Sequence, residues 1–520
     1  MSGEETGVVE QAPDWGVHLP AGVRREDVDL GAGGSLPGAW TAAWARDPRA
    51  EVLATPDSVR ISAEQLAERT SAVAGRYAAA GLAPGDRVLM SGATGVDLVV
   101  AYVAALRYGL TVIPANTAYT DVELAALAAD ARPALAVLDD PARGDGTGVP
   151  VVTGVDLAGL PASGTDVDLD RTGPGDTALV VYTSGTTGRP KGTVLSHANL
   201  LASAHAVRLA WRWMPEDRLA LCLPLFHVHG LGVGLHGTLT TGASALLMPK
   251  FAPAAVAEAI SGHGASMFFG VPTMYHRLAD SPHLADLRKL RLAVSGSAPL
   301  PAGLHAAIEA GGGQRILERY GMTETIMLVS NPYDGERRPG TVGFPLPGVS
   351  VRLAPRAGGT AEIEVTGPNV TAGYLDRPEA TAAAFTPDGW LRTGDLGTLD
   401  GDGYLRISGR AKELIITGGY NVYPREVEET LRAHPGVADA AVVGAPSDEW
   451  GESVVAFVVP ADPATGTDAG PGGGTDALER DLTDWCAARL APYKRPRAWR
   501  WTGTIPRNAL GKILRHELSP

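Results

Sequence analysis

The ten residues Thr183–Gly192, TSGTTGRPKG, carry the densest ligand chemistry in the chain. Hydroxyls and glycines alternate and a lysine follows, so backbone N–H groups, hydroxyls and one ammonium could together wrap a polyphosphate. The string is not a Walker A loop, because Gly185 and Gly188 stand too close together and Lys191 precedes glycine rather than Ser or Thr. A second candidate is Arg277 in PTMYHRLAD, where Pro272 suits a helix start. Met274 and Leu278 can then face a core while Arg277 projects near strand ends. It would meet either an anionic ligand or a protein Asp or Glu at the surface, and the residue alone leaves both open. Two further patterns carry less. Gly232-x-Gly234-x-x-Gly237 fits a dinucleotide fingerprint, but no clear strand opens into it, so its glycines suit close helix packing better. His227-x-His229 with His236 has no carboxylate or cysteine at metal-ligand spacing and reads as a satisfied polar strand end.

The elements that must position these residues recur as one unit: a short apolar run, a polar or Gly-rich turn, then an amphipathic stretch. Ala178–Tyr182 leads into TSGTTGRPKG, Ala265–Phe269 into GVPTMYHRLAD, and Leu290–Val294 into SGSAPLPAGLHAAIEA. Buried apolar strands alternating with helices predict mostly parallel sheets flanked by helices, with ligands at the carboxyl ends of the strands. After about residue 410 the units shorten into LIITG, a helix over YNVYPREVEETLRAHPGV, and the strands AAVVGAP and VVAFVVP, which predicts a smaller α+β domain. The expected fold class is therefore α/β, with a large multi-layer N-terminal domain and a small mobile α+β C-terminal domain. Residues 1–38 read as a partly ordered extension, 141–175 as loop with little structure of its own, and 461–476 as a low-complexity surface loop.

At 520 residues the chain is too long for one core, and 45% hydrophobic with 20% charged residues is an ordinary globular balance. With 44 Lys+Arg against 58 Asp+Glu the net charge is −14, which repels nucleic-acid backbones without excluding one local anion pocket. Cys222 and Cys486 are the only cysteines and lie far apart, so neither a disulfide framework nor a cysteine zinc site is expected. The N-terminus lacks a secretory h-region, and the longest apolar runs, such as Leu219–Leu225, fall short of the roughly 20 residues of a membrane span. A cytoplasmic protein without membrane or nucleic-acid partners is expected.

TSGTTGRPKG resembles the phosphate loop of the acyl-adenylate-forming enzymes, which comprise acyl-CoA synthetases, adenylation domains and luciferases. YGMTE (Tyr320–Glu324), WLRTGD (Trp390–Asp395), SGRAK (Ser408–Lys412) and PRNALGK (Pro506–Lys512) resemble that family's other motifs, in its order. The resemblance spans about residues 40–520 and implies ATP, Mg²⁺ and CoA as ligands. It implies that Lys512 bridges the acid's carboxylate and the α-phosphate, and that Glu324 holds Mg²⁺. Thr183, Ser184, Gly185, Thr186, Thr187 and Lys191 would embrace the β- and γ-phosphates. Ser297, Ala298, Gly321, Met322 and Thr323 would line the nucleotide, Tyr320 would stack on adenine, and Asp395 with Arg410 would hold the ribose. A pentacoordinate phosphorus gathers negative charge, which is why cations must surround it. The large domain is expected over residues 39–409 and the small one over 410–520, turning near Lys412. After that turn Gly418, Gly419 and Tyr420 would help form the thiol channel, where glycines permit close approach. The basic stretch KRPRAWRW (Lys494–Trp501) then suits the phosphates of CoA, or a solvated face, better than nucleic acid.

PLFHVHGL, GVPTMYHRL, RYGMTETIM and SNPYDGERRPGTVGFPLPG resemble malonyl-CoA synthetases in particular. That resemblance implies that Arg277 clamps the distal carboxylate, that Val228 and Met327 flank the central carbon, and that His229 lines the same cavity. Ile326, Leu328 and Val329 depart from the pattern by being apolar, which leaves methylmalonate or another small acid open beside malonate. The expected reaction is malonate plus ATP to malonyl-AMP and pyrophosphate, then CoA to malonyl-CoA and AMP. Two rivals remain: an adenylating enzyme that passes its acid to a carrier protein, an amine or another nucleophile, and a catalytically silent nucleotide-binding scaffold.

Overall fold

The computed structural model describes residues 9–30, 34–162, 167–183, 190–356, 360–417, 420–447, 450–462, 474–508 and 511–519. Two large sheets, of nine and seven strands, and one antiparallel five-stranded sheet precede a further five-stranded sheet built from residues after 414. The centre of the nine-stranded sheet is a parallel run. Its adjacent strands are Leu317–Tyr320, Leu292–Ser295, Met267–Gly270, Arg218–Leu221, Ser244–Leu247 and Glu51–Ala54. Sequences such as LAVS and MFFG are buried at every position, as strands covered on both faces require. Four neighbouring carboxyl ends therefore open side by side into the turns that begin at Cys222, Val271, Gly296 and Gly321. Such turns are where ligands collect in α/β sheets.

Local sequence sets the element boundaries. Capping boxes Ser62/Gln65, Thr120/Glu123 and Ser196/Asn199 start the helices Ala63–Ala79, Asp121–Ala131 and His197–Ala210. Pro272 opens the helix Pro272–Ala279, where its missing N–H costs nothing. GxGxxG lies in a wide helical turn, His229–Leu235, that runs into the helix His236–Thr241. A Cβ on Gly237 would lie 2.3 Å from the Trp213 ring, and one on Gly234 would lie 2.9 Å from Leu221, so these glycines serve packing.

Three expectations are corrected. The apolar run before TSGTTGRPKG does not feed a helix directly: Thr177–Thr183 and Lys191–Ser196 pair antiparallel, with Thr183 opposite Lys191, and the helix waits until His197. Residues 141–175 are not bare loop. They hold a short 3-10 turn, Pro141–Gly144, and the strand Val151–Gly154, which pairs parallel with Leu135–Leu138 as the sheet's edge. YNV is strand rather than helix, because Tyr420–Val422 pairs with Ile415–Thr417 and the helix begins only at Pro424. The 461–476 stretch lies mostly outside the described residues, and the helix Gly474–Arg489 already takes in its end.

Near the N-terminus, Glu10–Gln11 pairs with Arg352 and Leu353, and Trp15 and His18 are buried. The last sheet carries its own core, with Val427, Leu431, Val442, Val454 and Leu482 on one face. Cys222 and Cys486 are both buried and free. No helix among the described residues is long and apolar enough to cross a membrane.

Candidate active site

Tyr320 closes its strand with the phenol turned onto a carboxylate, its Oη donating to Asp395 Oδ2 at 2.5 Å. Asp395 stands opposite Arg410 in the antiparallel pair Leu391–Leu399 and Leu405–Arg410, and Arg410 Nε meets its Oδ1 at 2.9 Å. Burial, and then the charge of Asp395, push the Tyr320 phenol well above its ordinary range, so it stays a donor. Burial alone would lower Arg410, but Asp395, Tyr320, Glu413 and Glu324 together outweigh it and the net shift is upward. Three sequence-predicted residues thus form one satisfied cluster.

Lys512 reaches the same neighbourhood from the far end of the chain. Its turn is fixed by its backbone N–H donating to Asn508 Oδ1 at 2.9 Å and by Gly511 at φ +78°. A Cβ on Gly511 would stand 3.0 Å from Thr273 Cγ2, so the turn packs on the first turn of the Pro272–Ala279 helix. Burial first, and then the Arg410 charge, lower the Lys512 ammonium to about 8, with Glu413 and Asp395 partly offsetting them. Lys412 sits beside them in the short turn Ala411–Glu413.

Glu324 is 7% exposed. Its loop is held from outside: Thr371 N–H donates to Glu324 O at 2.8 Å, and Asn369 Nδ2 donates to Thr325 O and Met327 O at 2.7 Å each. Tyr374 Oη donates to Glu324 Oε1 at 3.0 Å, and Lys191 Nζ lies 5.2 Å from the centre of the Tyr374 ring. Burial raises the Glu324 carboxyl, and its own backbone N–H, the Tyr374 bond and the Arg410 charge only partly offset it. A buried carboxylate without an ion-pair partner among the described residues is suited to a cation. Among the described residues no group of three or more His, Cys, Asp or Glu could hold a metal ion. That donor set fits Mg²⁺, which takes one or two carboxylates and fills the rest of its octahedron with phosphates and water.

His229 and Ser297 bring two further strand-end turns together, with Nδ1 and Oγ hydrogen-bonded at 3.2 Å. Burial, and then Arg319 and His227, hold the His229 imidazole well below its ordinary value, so it is neutral. Ser297 (φ +69°) and Ile326 (φ +58°) both occupy the left-handed region, costly for a β-branched residue and typical of ligand-facing turns. A Cβ on Gly232 would meet Ile326 at 3.1 Å and Val228 at 3.6 Å, so these three residues pack together. Met327 is buried. Arg277 is exposed on its helix, with its guanidinium 4.9 Å from the Phe251 ring centre, and it makes no ion pair or hydrogen bond among the described residues. The surface-carboxylate alternative therefore finds no partner here.

Ser184, Gly185, Thr186, Thr187, Gly418 and Gly419 lie outside the described residues, as does the Thr183 side chain. Tyr420 is exposed and stacks on Tyr493 at 4.6 Å. Sequence reasoning passed over Tyr374 and Asn369, which reach Glu324 and its loop only through tertiary packing and leave no local signal. It also passed over Arg319, whose signal was present: two charged residues, Glu318 and Arg319, in the wholly buried four-residue strand LERY.

A family model described as AMP-binding enzyme matches residues 40–375, and one described as AMP-binding enzyme C-terminal domain matches 426–512. A sulfoacetate–CoA ligase of Cupriavidus necator is 38% identical over 493 residues, covering 91% of this chain and 94% of that enzyme. The ATP-bound MatB of Rhodopseudomonas palustris superposes with a TM-score of 0.84 at 38% identity, covering 92% of this chain and 98% of that one. A malonyl-CoA ligase in a ternary product complex with methylmalonyl-CoA and AMP is 43% identical, yet its TM-score is 0.64, over 88% and 97% of the two chains.

Proposed function

The chain belongs to the AMP-binding enzyme family and is an acyl-CoA ligase using ATP, Mg²⁺ and CoA, and from that premise we propose that its acid is malonate, with methylmalonate admitted beside it. One carboxylate oxygen attacks the α-phosphorus and pyrophosphate leaves. The CoA thiol then loses its proton to solvent, and the resulting thiolate attacks the acyl carbon and expels AMP. Lys512, an ammonium below about pH 8, stands beside Asp395 and Arg410, where it can bridge the attacking carboxylate and the α-phosphate. Asp395 and Arg410 hold the ribose, and Tyr320, kept neutral by burial, orients Asp395 and offers its ring to adenine. Lys191 and the Thr183–Thr187 segment take the terminal phosphates. Mg²⁺, held by Glu324, would neutralise charge on those phosphates.

The observation that carries the malonate reading is Arg277, an exposed cation with no protein anion among the described residues, on the helix whose first turn meets the Lys512 turn. A dicarboxylate gives it a bidentate partner that a fatty acid cannot supply. Val228 and Met327 then limit branching at the central carbon. Sulfoacetate is the second reading, favoured by the likeness to a sulfoacetate–CoA ligase, because a sulfonate satisfies the same guanidinium.

Residues 39–409 form the body of the enzyme in this proposal, and 410–520 turn about Lys412 between the half-reactions. The higher TM-score to the ATP-bound relative than to the product complex, despite lower identity, supports an adenylation arrangement here and a rotation before thiolation. Gly418, Gly419 and Tyr420 would then face the thiol. The test is CoA-dependent AMP formation with malonate, methylmalonate, sulfoacetate, propionate and hexanoate. Dominance of the dianions supports the proposal. Faster turnover of hexanoate or propionate ends it, and product formation only when a carrier protein replaces CoA ends the choice of acceptor.

A further inference from the structure

Arg319 lies in a strand, Leu317–Tyr320, buried at all four positions, and is itself 6% exposed. Its Nε and Nη2 are buried without a hydrogen-bond partner, and no carboxylate pairs with it among the described residues. The adjacent Glu318 is engaged elsewhere, accepting from Gly340 N–H at 3.0 Å and Leu300 N–H at 3.3 Å. A buried guanidinium without a counter-ion is among the costliest groups a fold can keep. Burial lowers it to about 9, so it still carries its charge at neutral pH.

The surroundings of Arg319 are shaped for it. A Cβ on Gly296 would stand 2.2 Å from Arg319 Cζ and 2.5 Å from Nη1, so only glycine at that strand end admits the group. Gly296 lies between Ser295, whose buried Oγ has no partner, and Ser297, whose Oγ meets His229. His229 Nε2 is also buried without a partner, and the Arg319 charge reaches the His229 ring. Three unmatched polar atoms, Arg319 Nε and Nη2 and His229 Nε2, thus lie about the turn at Gly296 and Ser297, while Ser295, in register with Glu318, faces the other side of the sheet.

We infer that Arg319 is the specificity-determining floor of the acid pocket: it fills the space a longer acyl chain would need and, by its unneutralised charge, selects short acids bearing a second anionic group, carboxylate or sulfonate. This rests on the dianionic-acid reading above and deepens it by separating two arginines. Arg277 at the exposed mouth engages the far anion, whereas Arg319 at the buried floor sets length and charge.

The experiment measures acid-dependent pyrophosphate release with malonate, sulfoacetate, butyrate and hexanoate, together with the KM for ATP and the thermal midpoint, on Arg319→Met and Gly296→Ala. For Arg319→Met, kcat/KM for both dianions should fall about 100-fold and that for hexanoate should rise about tenfold, while the KM for ATP stays within about twofold. The midpoint should rise, because an uncompensated buried charge has gone. Gly296→Ala, which forces the guanidinium aside, should raise the malonate KM about tenfold with the ATP KM unchanged, and it serves if Arg319→Met does not fold. A wild type that prefers malonate while both variants keep its malonate-to-hexanoate ratio overturns the inference and leaves the dianion reading intact. Equal loss for every acid with a lowered midpoint also overturns it, making Arg319 a core residue. A wild type that prefers hexanoate overturns both.

Discussion

Asp395, Arg410, Tyr320, Glu324 and Tyr374 stand with their partners in place, whereas Arg277 and Arg319 carry donors, and His229 a ring nitrogen, that the described protein does not match. In the proposed function the first group makes the nucleotide side of the cleft and the second the acid side. A ribose and an adenine are neutral, and a site for them can be completed by the protein's own bonds before they arrive. A small dianion brings charge of its own, so its site is finished only when it binds. Matched groups therefore give position, and unmatched groups give selectivity.

The comparison breaks most sharply at Lys512, which belongs to neither side. Lys512→Ala should lower acid-dependent pyrophosphate release by about 1,000-fold, as loss of a transition-state cation does. Thioester formation from preformed malonyl-AMP should change little. Equal loss in both half-reactions would place the lysine outside adenylation.

On the matched side, Asp395→Asn leaves Arg410 and Tyr320 without their anion. Arg410 keeps some access to water, so the expected loss is about 2 kcal/mol of folding stability, read from denaturant midpoints, with a raised KM for ATP. On the unmatched side, Arg277→Ala should leave stability within about 0.5 kcal/mol, because its side chain makes only the contact with Phe251. It should nevertheless lower kcat/KM for malonate by about 30-fold relative to propionate. If Arg277→Ala destabilises the fold and Asp395→Asn does not, the contrast between the two sides is false.

A pH profile sharpens the same boundary. The Lys512 ammonium sits at about 8, held down by burial and the Arg410 charge, so its charged form is present below that value and lost above it. Pyrophosphate release should fall as pH rises through about 8, where an ordinary lysine at 10.5 would hold it. Asp395 raises the Lys512 value, so Asp395→Asn should move that limb to lower pH. A profile flat to pH 9.5 would separate Lys512 from the chemistry.

What the sequence made legible was whatever chemistry is contiguous. The turns after Met267–Gly270 and Leu292–Ser295 follow short apolar runs, so both strand and ligand-bearing turn lie within a dozen residues of one another. Partners that meet through the fold were hidden. Tyr374 reaches Glu324 only because Gly373–Tyr374 pairs with Thr193–Val194, about 180 residues earlier in the chain, and no local pattern encodes that register. The sequence extends the expected helix back to Tyr420–Val422 because a strand of three residues has no measurable period, and only its pairing with Ile415–Thr417 decides the matter. Val151–Gly154 was missed among glycines and aspartates for the same reason. Arg319 is the instructive exception: a charge in a buried strand was visible, but its meaning required knowing that nothing pairs with it.

Tyr374→Phe makes the smallest change and tests the matched side alone. It removes one hydroxyl that donates to Glu324 Oε1 and leaves the ring beneath Lys191. With burial already raising the Glu324 carboxyl, loss of this donor should raise it further and weaken its hold on a cation. A hydrogen bond to a charged group contributes about 1.5 kcal/mol, which corresponds to about a tenfold higher Mg²⁺ concentration for half-maximal pyrophosphate release. The malonate-to-propionate ratio should not move, because the acid side has lost nothing. A changed acid preference with unchanged Mg²⁺ dependence would mean that the two sides of the cleft are one coupled network, and that matched bonds also set selectivity.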